Sequence, residues 1–315
     1  MTIAIAGAVT AHAQEWPQRP IRIVVPFAAG SSPDILARII NERLSARVGQ
    51  PLIVDNKPGA GGNTGTDQAS KARPDGYTFL LSVNAPLVYN TVLYKKNLPY
   101  DPFKDLVPVS LAATTPNVCV VSNSMNVDSV KGWLAAMKQN PGKFNFASTG
   151  NGSISHLGVE LVKLKTNSFA VHIPYASSGQ AVTALIQGDV QYACLPPVAV
   201  MPHAQAGRFK ALAVTSAERS SLLPELPTLR ESGLPDLQAV PWYAYMAPKG
   251  TSPEVVQRMS REIAAVLREP ETLKRLQTAY FDPVGSTPDA LSNFMGEELR
   301  RWKPVIERAG LKPDN

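Results

Sequence analysis

Short β-branched apolar runs alternate with stretches of helical period along the chain, a pattern that predicts an α/β protein with mostly parallel sheets. Three units repeat the same order: an apolar run, a Gly/Ser/Asn loop, then an amphipathic helix. The first runs over residues 21–27, 28–32 and 33–48, the second over 144–148, 149–152 and 153–165, the third over 171–174, 175–178 and 179–187. In the first helix Ile35, Leu36, Ile39, Ile40 and Leu44 make one apolar stripe, with Ser32 suited to the N-cap, Pro33 to the first position and Asp34 to the first turn. Each loop aims backbone N–H groups and hydroxyls past a strand end, and a helix N-terminus carries about half a positive charge. Such points attract carboxylates, and three of them on one chain point to binding of an anion by uncharged donors.

Between these units the pattern predicts strands over 51–54, 77–82, 118–121, 209–215 and 240–247. Helices are expected to about residue 72, then over Val130–Gln139, 254–267, 271–277 and 288–309. Residues 98–108 read as loop, and 223–235 as a proline-spaced loop around a short helix. The 118–121 strand is expected to cross between domains, and the 240–247 strand to return. No repeat of fixed period occurs.

A length of 315 residues allows two domains, and 44% hydrophobic with 18% charged residues supports a large packed core. The net charge is +6, but Lys and Arg are scattered, so no nucleic-acid stripe forms and nucleic acid is not an expected partner. Such a charge attracts acidic small molecules weakly. Residues 1–13 read as the end of a secretion signal, with an apolar run at 3–9 and Ala11-His12-Ala13 as an A-x-A cleavage site, although the basic n-region is missing. A soluble, exported, periplasmic protein is expected. Cys119 and Cys194 lie in strand-like runs; an oxidising compartment permits a bridge, yet two buried free thiols are the plainer expectation.

Candidate chemistry is sparse. His12, His156, His172 and His203 form no zinc motif, and no metal or cofactor is expected. Ser153 and His156 lie three residues apart at a helix start, which keeps a hydrolase as a competing reading without a third orienting group. The glycines at 59, 61, 62 and 65 fit neither a dinucleotide fingerprint nor a P-loop, and read as a tight turn or a close approach to a ligand. Phe27, Tyr175, Trp242 and Tyr243 sit near loops as core or hinge packing, or as a wall for a flat ligand.

At these loops the chain resembles the extracytoplasmic substrate-binding proteins of tripartite tricarboxylate transporters, the Bug proteins. The resemblance rests on Trp16-Pro17-Gln18-Arg19-Pro20, Ile21–Val25 with Pro26-Phe27, Asp34-Ile35-Leu36-Ala37-Arg38, the run from Asp55 to Asn63, and Pro74-Asp75-Gly76-Tyr77-Thr78. Leu98-Pro99-Tyr100-Asp101-Pro102, Gly152-Ser153 with His156-Leu157, His172-Ile173-Pro174-Tyr175, Ala213-Val214-Thr215-Ser216 and Ala247-Pro248-Lys249-Gly250-Thr251 complete it. It implies a two-lobed periplasmic binding protein fold, type II-like, with a ligand cleft between lobes at 14–117 plus 243–315 and at 118–242. It also implies capture of a small organic carboxylate by a monomer and delivery to a large and a small membrane subunit. Carried over, the first-lobe contacts are the 27–32 loop with Phe27, Ala29, Gly30, Ser31 and Ser32, and the 61–63 turn with Gly62 and Asn63; the second-lobe contacts are Thr149, Asn151, Ser153 and the 175–178 loop with Tyr175 and Ser177. Asn84, His156 and Trp242 complete the candidate set. The family commonly has Gly-Gly where this chain has Gly30-Ser31, which puts a hydroxyl in place of bare backbone. An anion loop in each lobe favours a dicarboxylate, including aromatic ones. A ligand sensor docking to a signalling receptor is the third reading.

Overall fold

The computed structural model describes residues 16–313, so the expected export segment at 1–13 lies outside the described residues. The chain enters through β1 (Ile21–Val25), α1 (Ser32–Val48), β2 (Leu52–Asn56), α2 (Asn63–Ser70), β3 (Thr78–Val83), α3 (Asn90–Leu93) and β4 (Leu106–Thr114). It crosses at residues 115–117 and continues through β5 (Val118–Ser122), α4 (Val130–Gln139), β6 (Asn145–Ser148), α5 (Ile154–Thr166), β7 (Val171–Pro174), α6 (Ser178–Gln187), β8 (Tyr192–Leu195), α7 (Pro197–Gln205) and β9 (Phe209–Val214). It returns as β10 (Trp242–Pro248), α8 (Pro253–Val266), α9 (Pro270–Thr278), β11 (Asp282–Pro283) and α10 (Pro288–Arg308).

Two sheets result, ordered β11-β4-β10-β3-β1-β2 and β7-β6-β8-β5-β9. They share one plan. Each has three parallel strands, β2-β1-β3 in the first lobe and β7-β6-β8 in the second, and then an antiparallel strand that has just arrived from the other lobe, β10 or β5. The mostly parallel sheets expected from the strand–helix alternation are therefore mixed. Alternation describes only the three-strand βαβ part, because the strands that enter by crossing pair antiparallel.

Apolar side chains pack on both faces of both sheets. On one face of the first sheet Ile21, Ile23 and Val25 of β1 meet Leu36 and Ile40 of α1 and Met259 and Ile263 of α8. On the other, Val24 and Leu80 meet Met295, Trp302 and Ile306 of α10, joined by Ile154 and Leu157 of α5. Helix α5 thus packs against the first lobe as well as its own.

The crossings are stitched to each other. Thr115 N–H donates to the Pro241 carbonyl at 3.1 Å, Asn117 N–H to Thr215 Oγ1 at 2.9 Å, and Thr215 Oγ1 to the Ala239 carbonyl at 2.7 Å. The 118–121 strand does not itself cross; β5 lies wholly in the second sheet, and the crossing precedes it.

Further differences are local. The expected loop at 98–108 gives way to β4 at Leu106, which pairs with β10 through a register the sequence does not encode locally. The short helix expected within 223–235 is a run of turns. A π-helical turn over Ala85–Tyr89, α3 and α7 carried too little periodicity to be read. The N-cap of α1 is Ser31, one residue before the expected Ser32. Cys119 and Cys194 are not free thiols: they face each other across the antiparallel β5–β8 pair with Cα atoms 3.9 Å apart and form a disulfide.

Candidate ligand cavity between the lobes

All three loop-to-helix units converge on one cavity of about 100 Å³. The N-cap residues of α1, α5 and α6, namely Ser31, Ser153 and Ser177, all line it. The sheets explain this convergence. Each loop leaves the carboxyl end of a parallel strand (β1, β6 or β7), and the two lobes turn those ends toward each other, which is where α/β sheets bind ligands.

Among the described residues the wall contains no Lys, Arg, Asp, Glu or His. Its polar groups are hydroxyls and amides: Ser31, Ser32, Thr149, Ser153, Ser155, Ser177, Ser178, Asn84, Asn117, Asn151 and Tyr243. Phe27, Pro33, Val83, Ile154, Pro196 and Pro241 supply apolar surface between them. The positive character of such a site comes from helix ends, not from side-chain cations.

Each helix start is held differently. Ser153 Oγ accepts from His156 N–H at 3.3 Å and donates to the Gly150 carbonyl at 2.7 Å. Ser177 Oγ accepts from Gln180 N–H at 3.3 Å. Ser31 makes no side-chain cap, and its Oγ is buried without a hydrogen-bond partner among the described residues. The loop before α1 is fixed from behind by Asp34, whose carboxylate accepts from Gly30 N–H at 2.8 Å, from Arg38 Nε at 3.0 Å and from Asn56 Nδ2 at 3.0 Å. Burial pushes the Asp34 carboxyl up, but these hydrogen bonds outweigh it and hold it below the usual carboxylate range.

Of the residues expected from sequence, Phe27, Ser31, Ser32, Asn84, Thr149, Asn151, Ser153 and Ser177 line the cavity. Seven do not. Ala29 and Gly30 are exposed on the loop. Gly62 lies behind Phe27, where a Cβ would stand 2.8 Å from the ring, so its absence lets the ring pack; its neighbour Gly61 faces the cavity. Asn63 is buried, its Oδ1 accepting from Asn90 Nδ2 at 2.6 Å and Tyr100 OH at 3.0 Å. Tyr175 packs on the second lobe's core beside the cavity residue Ala176. Trp242 turns to the opposite side of β10 and donates Nε1 to Glu298 Oε2 at 2.9 Å, while Tyr243 faces the cavity, as strand alternation requires. His156 is buried beneath the wall.

The geometry does not pair Ser153 with His156 as nucleophile and base. Ser153 Oγ meets the His156 backbone N–H, and the ring nitrogen Nδ1 accepts from Gly152 N–H at 3.1 Å. Among the described residues no group of His, Cys, Asp and Glu could hold a metal ion, and no helix is long and apolar enough to cross a membrane.

Sequence reasoning missed the wall residues Ser155 and Asn117, and Asn117 is the more telling. It is 1% exposed, lines the cavity, and neither Nδ2 nor Oδ1 has a partner among the described residues. Buried amides are ordinarily satisfied, so an open one in a cavity wall marks a place for a ligand atom. An Asn after Pro116 at a strand start carries no periodicity or motif that would reveal this.

Two α/β lobes joined by paired crossings, with an enclosed, uncharged, donor-lined cavity between them, define a solute-binding protein. The comparisons give the family. Residues 36–311 match the profile described as the tripartite tricarboxylate transporter family receptor, TctC, and the chain belongs to that family. It is 39% identical to Protein BugT of Bordetella pertussis over 98% of this chain and 95% of that protein. Among solved structures it resembles R. palustris Rpa4515 with adipate, at a TM-score of 0.90 and 33% identity, covering 95% of this chain and 100% of that one. It likewise resembles MatC from Rhodopseudomonas palustris with bound malate, at a TM-score of 0.84 and 29% identity, covering 92% and 100%.

Proposed function

We propose that this protein captures a small organic carboxylate, a dicarboxylate in preference to a monoacid, in the periplasm and delivers it to the large and small membrane subunits of a tripartite tricarboxylate-type transporter. The observation that carries the reading is the cavity wall: three helix N-termini, unpartnered polar atoms on Asn117 and Ser31, and no charged side chain. A bound carboxylate would take charge-assisted hydrogen bonds from these donors, which are strong in an enclosed site. The α1 end belongs to one lobe and the α5 and α6 ends to the other, so a diacid gives each lobe its own carboxylate. The adipate and malate in two related structures are both diacids, which supports this reading.

The mechanism is hinge closure. The lobes, 14–117 plus 243–315 and 118–242, would rotate about the stitched crossings near Asn117 and Val240, and the ligand would hold them shut. The protein acts as a monomer, catalyses no reaction, and reaches the periplasm through the signal segment at its start. The hydrolase reading finds no support in the Ser153–His156 geometry.

The test is a thermal-shift screen of the protein lacking residues 1–13 against adipate, malate, citrate, terephthalate, benzoate and arginine. A bound acid at about 100 times its dissociation constant adds roughly 2.7 kcal/mol of stability. Shifts with diacids and weaker ones with benzoate are expected. Silence from every acid, with or without a shift by arginine, would sink the proposal.

A further inference from the structure

Behind the cavity wall lies a buried cluster of titratable groups that ligand capture, as described so far, does not use. The imidazoles of His156 on α5 and His172 on β7 stack face to face, with ring centroids 3.6 Å apart and planes 10° from parallel. Phe146 lies beside the pair, its ring centroid 4.9 Å from that of His172 and 5.9 Å from that of His156, and Tyr192 packs on Phe146 at 5.7 Å. Both histidines reach the same segment, residues 148–153, which presents Thr149, Asn151 and Ser153 to the cavity. His156 Nδ1 accepts the Gly152 N–H at 3.1 Å. His172 Nε2 contacts Ser148 Oγ at 2.6 Å, and that hydroxyl bonds both the N–H and the carbonyl of Gly150, at 3.1 and 3.0 Å. Gly152 is itself tightly placed: it has a positive φ of 74°, and a Cβ there would stand 2.6 Å from Leu93 of the first lobe. The segment is thus wedged between the first lobe in front and two imidazoles behind.

On the reading that this cavity binds a carboxylate, we infer that His156 and His172 are positioning residues, which set ligand affinity by fixing residues 148–153 from behind without touching the ligand. The bond to Gly152 needs His156 Nδ1 unprotonated. A proton there replaces an acceptor with a donor facing a donor, and releases the loop. Glu160 Oε1 stands 3.6 Å from His156 Nε2, and that same oxygen holds Lys163 Nζ at 2.6 Å. Lys163 also lies over Phe146, and Tyr192 is the titratable group on the β8 side. With two rings in van der Waals contact, a charge on one disfavours a charge on the other.

The experiment is calorimetric titration of the protein with adipate and with malate near pH 8, where both acids are ionised. It compares the wild type with His156→Asn, His156→Leu and His172→Phe, and the Gly152 amide resonance of each ligand-free, ¹⁵N-labelled protein is recorded. Asn can offer an oxygen to Gly152 N–H; Leu cannot. His156→Leu is expected to weaken binding about tenfold and to shift the Gly152 resonance, with His156→Asn close to the wild type in both. His172→Phe, which removes the contact to Ser148 Oγ, is expected to weaken binding as well. Folded His156→Leu or His172→Phe binding like the wild type, or a Gly152 resonance that His156→Leu leaves in place, overturns the inference. Should His156→Leu not fold, the affinity of His172→Phe decides. Should no acid bind at all, the carboxylate reading fails, and the Gly152 resonance in the variants still tells whether the imidazoles hold the loop.

Discussion

Asn117 and Asn84 line the same cavity, and their side chains have opposite obligations. Asn84 Nδ2 donates to Tyr89 OH at 3.0 Å and to the Val240 carbonyl at 3.2 Å, and its Oδ1 accepts from Trp242 N–H at 3.2 Å. Tyr89 in turn donates to Glu298 Oε2 at 2.7 Å, which also takes Trp242 Nε1, so the four residues close a hydrogen-bonded ring behind the cavity. Asn117 has no such ties. Replacing Asn84 with Ala should therefore cost stability, about 1–3 kcal/mol from the orphaned partners, read as a lower melting temperature of the ligand-free protein. Asn117→Ala should leave that melt unchanged or raise it, and should weaken adipate or malate binding by about 1.5–3 kcal/mol, the range for a hydrogen bond to a charged group. Asn117→Asp should abolish binding, since it sets a carboxylate into a wall that has none. A ligand-free melt lowered by Asn117→Ala, with affinity intact, would make Asn117 a structural residue.

Each anion loop belongs to one helix and one lobe, so the dicarboxylate preference is a statement about elements. Ser153→Ala and Ser177→Ala remove N-cap hydroxyls that accept from His156 and Gln180 N–H, and each should cost about 1 kcal/mol of stability. If each lobe takes one carboxylate, both variants should weaken adipate binding more than benzoate binding in parallel titrations. Equal losses for diacid and monoacid would remove the two-loop argument. The disulfide acts between elements too: it ties neighbouring β5 and β8 across 75 residues of chain. Replacing both cysteines with Ala should lower stability by about 2–4 kcal/mol in denaturant unfolding, without changing the ligand ranking. These elements differ in how far the sequence disclosed them. The β1–α1, β6–α5 and β7–α6 units could be read because strand period, glycine loop, cap and helical stripe all fall within about thirty residues. The disulfide, the start of β4 and the antiparallel setting of β10 could not, because each depends on register between segments far apart in sequence. The candidate site divides the same way. Ser153 and Ser177 stand at the loop-to-helix joins that the sequence shows, whereas the α1 cap is Ser31 and not the expected Ser32. Asn117 becomes a wall residue only when the lobes meet, and Trp242 and Tyr243 trade places by one step of strand alternation.

Across the whole molecule, acid should act on the fold before it acts on the carboxylates. His172, stacked on His156 with Phe146 alongside, is pushed down to about 3 from an ordinary 6.5, first by burial and then by the nearby His156 and Lys163. The unfolded chain leaves this imidazole free to take a proton near 6.5, whereas the folded protein refuses it down to about 3. Between those values the unfolded state binds more protons, so stability rises with pH there. The contribution is present in full above about pH 6.5 and is lost progressively as pH falls toward 3, by up to a few kcal/mol. Asp34 and Glu160 add to the same side at lower pH. Burial pushes each up, hydrogen bonds from Arg38 to Asp34 and from His156 and Lys163 to Glu160 outweigh it, and both sit below their ordinary values. Their contributions begin to fade below about 3.8 and 4.5. Urea unfolding of the ligand-free protein at a series of pH values should show stability declining from near neutrality downward. His172→Phe should flatten the upper part of that decline, between roughly pH 6.5 and 4.5, and leave the lower part, where the carboxylates protonate. An identical slope in the variant would mean that the folded protein accepts a proton on His172 in that range, and would remove His172 as the source of the decline.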